Sequence, residues 1–323
     1  MDRRKYLQTV SAIGAAAVAG CSGQPGSSNN QLTTVNLGTA GGGSTGVLAE
    51  IITNEGIDEE YGISLDLQTS PPPQVQQLVI NKGVDFGFLG PKAAAEARLE
   101  GRNVSIFGSW LGFHNSLMAS DPDIESWDDL VGERIGMVPS VSQTYVITAS
   151  IAAEMGYDFE EDFDLRTGNP NALHSFDANG DVAAHIHFLP PNIRAMDNDE
   201  MNEVYFLPDL AQEEFGRQFH LVALAAYQET IEEDVERARK LRQVISEGQR
   251  LLNENPEKWL SEYSDTAGYD NEEQIQLAVD RTSTIYPQGW DDDTKAEIRQ
   301  NIELFKQYGY IAEDAPTDIF AGI

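Results

Sequence analysis

The chain has 323 residues, with 53 Asp and Glu against 21 Lys and Arg, giving a formal net charge of −32. That excess of acid excludes a nucleic-acid-binding surface and any general attraction to anionic lipid. With 41% hydrophobic residues the chain can still build a real core, which excludes disorder, and its length predicts two lobes rather than one.

The opening, MDRRKYLQTVSAIGAAAVAG, runs from a basic start (Arg3, Arg4, Lys5) through a weakly apolar stretch from Val10 to Ala19. That is the layout of a secretory signal (1–20), with an apolar stretch well short of the roughly 20 residues that a membrane span needs. The paired arginines before an aromatic and a leucine resemble a twin-arginine export signal. VAGC resembles the lipobox of exported lipoproteins, in which Cys21 becomes the lipidated N-terminus. Cys21 is the sole cysteine, so the mature domain is expected to hold no disulfide, redox motif or thiolate metal site. Residues 21–34, rich in Gly, Ser and Asn, read as the lipidated cysteine and a flexible tether. The acids are scattered, apart from DFEEDFD (158–164) and WDDD (290–293), and lysines number only seven. Such a surface fits a halophilic protein that stays soluble in very high salt.

From Val35 the pattern alternates. VNLG reads as a strand, GVLAEIITNEG as a helix ending at Gly56, and ISLDLQ as a strand. QVQQLVINKG is a helix closed by Gly83, DFGFLG a strand, KAAAEARLEG a helix, and VSIFGSW a strand. Short strands alternating with helices predict an α/β lobe with a mainly parallel sheet. A second series begins near Asp121. ESWDDLVG is a short helix with a Ser-x-x-Asp cap, RIGMV a strand, and QTYVITASIAAEMG a helix. DFDLRTG is a strand or turn, NPNALHSFDANG a helix, DVAAHIHFL a strand stopped by Pro190 and Pro191, and VYFL a strand before Pro208. FHLVALAAY then leads into a helical tail, its first helix starting at Thr230 with Glu233 completing a capping box. Val235, Ala238, Leu241, Ile245, Gly248 and Leu252 form one apolar stripe on it, and further helices are expected at 256–264, 271–285 and 292–309. The tail is expected to cover the first sheet. The expected organisation is therefore a first lobe over 35–118, a second over 119–221, and a return to the first with the helical tail over 222–323.

Several segments, in order, resemble the type-2 periplasmic solute-binding proteins of ABC importers, in the branch handling nitrate, sulfonates, taurine and thiamine-pyrimidine precursors. They are EEYGISLDL, LVINKGVDFGFLGPKAAAEARLEGRNVSIFGS, SWDDLVGERIGMVPSVSQTYVI, GDVAAHIHFLPP, and a tail carrying NENPEKW and LFKQYGYI. In GDVAAHIHFLPP the family's aspartate, tryptophan and glutamate are replaced by Ala183, Phe188 and Leu189, so the resemblance leaves the ligand open. It implies two lobes that close on a ligand, a permease partner, and no catalysis.

Loops after strands are where such a ligand is expected. GTAGGGSTG opens a helix after the first strand, and Gly42, Gly43, Ser44 and Thr45 offer close backbone approach and free N–H groups, or else a plain flexible turn. It lacks the Gly-Lys-Ser/Thr ending of a nucleotide loop. Ser70 reads equally as a helix cap or a ligand contact. Ser140, Ser142, Gln143 and Thr144 form the matching helix start in the second lobe. Lys92 and Arg194 are possible counter-charges, although a solvated surface role is the plainer reading of each. Trp110, Phe113 and His114 form either an aromatic wall or core packing. His185 and His187 suggest zinc by spacing, but no third ligand is apparent, and no metal or cofactor is assigned. His187 and Phe188 remain cleft candidates, with ordinary core histidines as the plainer reading.

The sequence thus predicts a monomeric, extracytoplasmic lipoprotein, held to the membrane through Cys21, that binds a small molecule for an ABC permease. An oxyanion, a sulfonate or a heteroaromatic ring would each suit the cleft. An exported or biosynthetic enzyme of the same fold, with His187 in acid–base work, and a solute sensor without transport are the competing classes.

Overall fold

In the computed structural model, which describes residues 32–197 and 201–323, the first run of elements alternates as the sequence predicts. It comprises β1 (Thr33–Thr39), α1 (Gly43–Asn54), α2 (Ile57–Glu60), β2 (Ile63–Thr69), α3 (Pro72–Ile80), β3 (Gly87–Leu89), α4 (Pro91–Leu99) and β4 (Val104–Gly112). The second run is β5 (Asn115–Ala119), a 3₁₀ turn (Asp128–Leu130), β6 (Arg134–Met137), α5 (Gln143–Glu154), β7 (Asp164–Thr167) and α6 (Pro170–Ala178). It continues with β8 (Ala184–Phe188), α7 (Pro191–Asp197), β9 (Asn202–Phe206) and α8 (Leu207–Phe215). The chain ends with β10 (His220–Tyr227), α9 (Gln228–Glu233), α10 (Val235–Glu254), α11 (Pro256–Glu262), α12 (Ser264–Ala267), α13 (Glu272–Val279), α14 (Thr282–Ile285) and α15 (Asp292–Gln307). The predicted signal, Cys21 and most of the tether lie outside the described residues.

The strands form two sheets. In the first, β2 pairs in parallel with β1, β1 touches β3 through the parallel Leu37–Phe86 bridge, and β10 lies antiparallel between β3 and β4. In the second the order is β7-β6-β8-β5-β9, with β5 antiparallel to both of its neighbours. Each sheet therefore has one strand running against the rest. Those two, β5 and β10, are the strands with which the chain enters the second sheet and returns to the first.

Side chains alternate across β4, so Ile106 belongs to one apolar core and Phe107 to the other, and every residue of the strand is buried. On the Phe107 side, α10 covers the first sheet with Ala238, Leu241, Ile245 and Leu252, as the stripe predicts. Gly248 lets α10 meet α1 closely: a Cβ there would stand 2.8 Å from Leu48 Cδ1. On the other side, α4 and α15 carry the core on toward the second sheet, where Trp127 lies among Tyr157, Phe159, Phe163 and Tyr205. The WDDD cluster is a helix start. Asp291 accepts the Thr294 N–H at 2.9 Å, and Asp292 and Asp293 occupy the first turn of α15, where the helix dipole favours acids.

Some expectations change. Thr33 and Thr34, assigned to the tether, already pair with Ile63 and Ser64 in β1. Residues 115–119 form a strand that the sequence did not announce, because NSLMA lacks β-branched residues. Thr230 does not open the long helix; it sits within α9. Asp234 leaves the helical region (φ −149°, ψ 79°), restarts the chain, and caps α10 by accepting the Arg237 N–H. The helix expected over 271–285 is divided into α13 and α14. Asp129 accepts both the N–H and the hydroxyl of Ser126, but this cap holds only a 3₁₀ turn. None of the described helices is long and apolar enough to cross a membrane.

Candidate functional site

β1, β2, β3 and β4 run the same way, so the loops after Thr39, Thr69, Leu89 and Gly112 share one edge of the first sheet. In the second sheet β6, β7 and β8 end together at Met137, Thr167 and Phe188. The antiparallel strand β5 begins at that same edge, with Asn115 opposite Phe188. Two residues, Phe113 and His114, join the edges. Apart from Trp110 within β4 and His185 near the start of β8, every candidate residue of the described part stands on one of these loops, at a strand end, or in the first turn of the helix that follows. This is where open α/β sheets place ligands.

At the first edge, Gly42 is the extended N-cap of α1, and Gly43 has φ +62°, which only glycine adopts readily. Thr45 is buried, while Ser44 is half-buried and its carbonyl accepts the Tyr286 hydroxyl at 2.8 Å. Ser70 is not a helix cap: α3 starts from Pro71 with no side-chain cap, and the Ser70 N–H donates to Thr39 O at 3.0 Å. Lys92 is not solvated either. Its side chain is buried and its Nζ lies 2.6 Å from Glu96 Oε1. Half-buried Arg194 donates to Gly268 O at 3.0 Å. The solvated reading fails for both because each lies where elements of the two sheets meet.

At the second edge Ser140 is exposed, and Ser142 is the N-cap of α5, its hydroxyl oxygen accepting the Thr144 N–H at 3.1 Å. Thr144 is half-buried, and Gln143 is buried with its side chain reaching the first edge. The single aromatic wall does not form. Trp110 packs on Phe88 in one core, and Phe113 packs edge-on against Phe219 in the other. The two point apart because they stand on opposite sides of the first sheet. His114 alone faces Phe188, edge to face with ring centroids 6.5 Å apart.

His114 is fully buried, which pushes its pKa down to about 4, and its Nδ1 lies 2.8 Å from Gly112 O. A carbonyl can only accept, so Nδ1 carries the proton of the neutral ring. His187 Nδ1 accepts the Phe188 N–H at 2.8 Å, and the His187 carbonyl accepts from Asn192 Nδ2 at 2.9 Å. The His185 ring lies 6.0 Å from that of His187 and nearly perpendicular to it, with Nδ1 2.9 Å from Asp177 Oδ2. That buried pair ties α6 to β8. Among the described residues no three His, Cys, Asp or Glu side chains are grouped to hold a metal.

Sequence reasoning missed Thr39, Asn115, Asn192, Gln76 and Gly90. Asn115 is the most informative, since neither end of its amide has a hydrogen-bond partner although the residue is 1% exposed. Thr39 Oγ1, Gln143 Nε2 and Asn192 Oδ1 are likewise buried and unpartnered. Each such group costs about 1–3 kcal/mol of desolvation without return. The readable signal was a polar residue at the very end of an otherwise apolar strand. The edges also touch: a Cβ on Gly43 would stand 4.0 Å from Pro190 Cδ, and one on Gly90 2.7 Å from Gln143 Oε1. One open recess of about 560 Å³ lies away from the edges, beside α8 and α15, and another of about 240 Å³ lies beside the crossing, lined by Gly112, Phe113 and His220 among others.

A family model described as NMT1/THI5 like matches residues 54–259. No curated protein matches the chain. Among solved structures, the periplasmic aliphatic sulphonate binding protein SsuA from Escherichia coli is 14% identical with a TM-score of 0.70, covering 89% of this chain and 96% of its own. The periplasmic nitrate-binding protein NrtA from Synechocystis is 12% identical with a TM-score of 0.67, covering 89% and 84%. A Candida albicans gene product, described as having the generic periplasmic binding protein fold, is 15% identical with a TM-score of 0.66, covering 89% and 94%. At these identities the likeness is one of fold, and the fold is that of the periplasmic binding proteins.

Proposed function

The chain belongs to the NMT1/THI5-like family, and we propose that it captures a small polar solute between two lobes outside the cell membrane and hands it to an ABC permease. In this reading the lobes follow the two sheets, so the bounds expected from the sequence (35–118, 119–221, 222–323) shift to the strand ends: the first lobe runs from Thr33 to Gly112 and returns from His220, the second runs from Asn115 to Phe215, and the hinge lies at the two crossings between them. The observation that carries this reading is the set of buried, unpartnered polar groups on the facing carboxyl edges: Thr39, Asn115, Gln143 and Asn192. Buried polar groups are normally satisfied; unpartnered atoms also occur elsewhere in the interior, at Asn36, Thr148, Ser150 and three tryptophans, but these four residues stand where this fold binds ligands and where a solute can meet them.

The binding set we propose is Gly42, Gly43, Ser44, Thr45, Ser70, Lys92 (through its helix start), His114, Ser140, Ser142, Gln143, Thr144, His187 and Phe188, now joined by Thr39, Asn115 and Asn192. Phe113 supports it from the core. The two structural neighbours named for their ligands are named for anions, sulphonate and nitrate. Here Lys92 pairs with Glu96 and Arg194 donates to a carbonyl. The groups left to meet a solute are amides, hydroxyls and the neutral His114. That set favours a heteroaromatic or weakly charged compound over a full anion, and binding without catalysis.

The lipid anchor on Cys21, twin-arginine export, a monomeric state and halophilic solubility complete the proposal on the strength of the sequence. A thermal-shift screen of the protein in molar salt, against nitrate, taurine, ethanesulfonate, bicarbonate, cytosine and uracil, tests it. A ligand that binds only the folded state raises the melting temperature in step with its concentration and affinity. A saturable rise with one compound supports the reading. A flat response to the whole panel counts against it.

A further inference from the structure

The start of α4 is capped from both sheets. Its first turn offers the N–H groups of Gly90 and Lys92, with Pro91 between them contributing none. Gln76, on α3 beside the first sheet, accepts the Gly90 N–H at 3.3 Å. Gln143, the first residue of α5 beside the second sheet, accepts the Lys92 N–H at 3.0 Å. The fit depends on glycine, since a Cβ on residue 90 would stand 2.7 Å from Gln143 Oε1 and 3.0 Å from its Cβ.

This geometry also settles which way the Gln143 amide faces. A backbone N–H can only be met by an acceptor, so Oε1 must lie on Lys92 and Nε2 must turn away. Nε2 is buried and has no protein partner.

We propose that Gln143 is both the latch across the cleft and a specificity-determining residue: it caps α4 only while the two lobes are together, and its Nε2–H then donates to an acceptor on the solute. This rests on the solute-capture reading above and narrows it. The solute must present a carbonyl, ring-nitrogen or oxyanion acceptor toward α5, and a compound offering only donors there is refused.

Three variants of the full chain test the proposal. Gln143→Ala removes cap and donor, Gly90→Ala blocks the cap sterically, and Gln143→Glu keeps an acceptor for the Lys92 N–H but replaces the donor with a second acceptor. Circular dichroism verifies folding. Should Gly90→Ala fail to fold, Gln143→Ala, which adds no bulk, carries the same question. Small-angle X-ray scattering without added solute is expected to give a larger radius of gyration for Gln143→Ala and Gly90→Ala, and the wild-type radius for Gln143→Glu. Unchanged radii in both of the first two overturn the latch. Nitrate, taurine, ethanesulfonate, bicarbonate, cytosine and uracil are then titrated against the wild type and Gln143→Glu. Whichever compound stabilises the wild type is expected to bind Gln143→Glu at least tenfold more weakly, and equal binding overturns the specificity role. If none of the six stabilises the wild type, the capture reading fails, while the scattering still decides the latch.

Discussion

Two sets of polar residues in this molecule are treated very differently. Along the helical tail and the C-terminal chain, half-buried arginines have charged or carbonyl partners. Arg98 donates to Val104 O at 2.5 Å, to Asp318 O at 2.6 Å and to Ser105 Oγ, which in turn donates to Gln228. Arg242 reaches Ile323 O at 2.9 Å. Arg281 forks onto Glu203, which also accepts from Ser116 at 2.5 Å. The Arg98 and Arg242 contacts hold a chain end whose residues 319–321 bond to Ile106 beyond the edge of β4, while the Arg281 fork joins the helical tail to β9. At the facing carboxyl edges, by contrast, Asn115, Thr39, Gln143 and Asn192 are more deeply buried yet keep polar atoms unmet. The more deeply buried set is thus the less satisfied of the two. The first set stabilises the fold, and the second costs stability that a bound solute would return.

The largest test of that contrast lies at Arg281. Arg281→Met would leave the Glu203 carboxylate, 15% exposed, without its charged partner. Stripping one member of a fully buried pair costs about 3–5 kcal/mol, which is an upper bound for this partly buried one. Urea unfolding should show a midpoint lowered accordingly, with partial recovery in the Arg281→Met, Glu203→Met double variant. No change in the midpoint would mean that the arginine set is not structural.

Gly112→Ala comes next. A Cβ there would stand 2.0 Å from the backbone Thr284 O, which has no flexible end to move aside. Overpacking of this kind costs up to about 3 kcal/mol, and the strain falls on the crossing between the two sheets, the proposed hinge. Reduced stability together with altered closure in scattering is expected, and a wild-type unfolding curve would show that the crossing is loosely packed.

His114 gives a smaller effect, with a pH signature. Burial holds the folded ring near pKa 4, against 6.5 for an exposed imidazole. Below pH 6.5 the unfolded chain takes up a proton that the folded chain refuses. Stability contributed by the neutral ring is therefore complete above pH 6.5, falls as the pH drops toward 4, and changes no further below that. One proton over this window is worth about 3 kcal/mol. His114→Gln, whose amide can still donate to Gly112 O, should flatten the fall between pH 6.5 and 5 relative to wild type. Parallel curves would place the histidine in an open, solvated setting.

Much of the fold was legible because local signals agreed. The α10 stripe and the helices expected from QTYVITASIAAEMG and KAAAEARLEG all follow from spacing and residue type. β5 was not legible, because its reason for being a strand is the partners on either side, β8 and β9, rather than its own composition. The site was half legible. Helix starts after strands pointed to Gly42–Thr45 and Ser142–Thr144, whereas the sense of each side chain comes only from tertiary packing. Trp110 and Phe113 are three residues apart yet serve opposite cores, and Lys92 proved to be a buried side chain paired with a half-exposed Glu96 rather than a surface charge.

Asn115 allows the most direct test. Asn115→Leu removes an amide that nothing in the protein satisfies, so if that amide is kept for a solute the variant should be as stable as wild type or more so. It should also lose the saturable rise in melting temperature that wild type shows with its responding compound in the panel. A less stable variant, together with a wild type indifferent to every compound, would contradict the account.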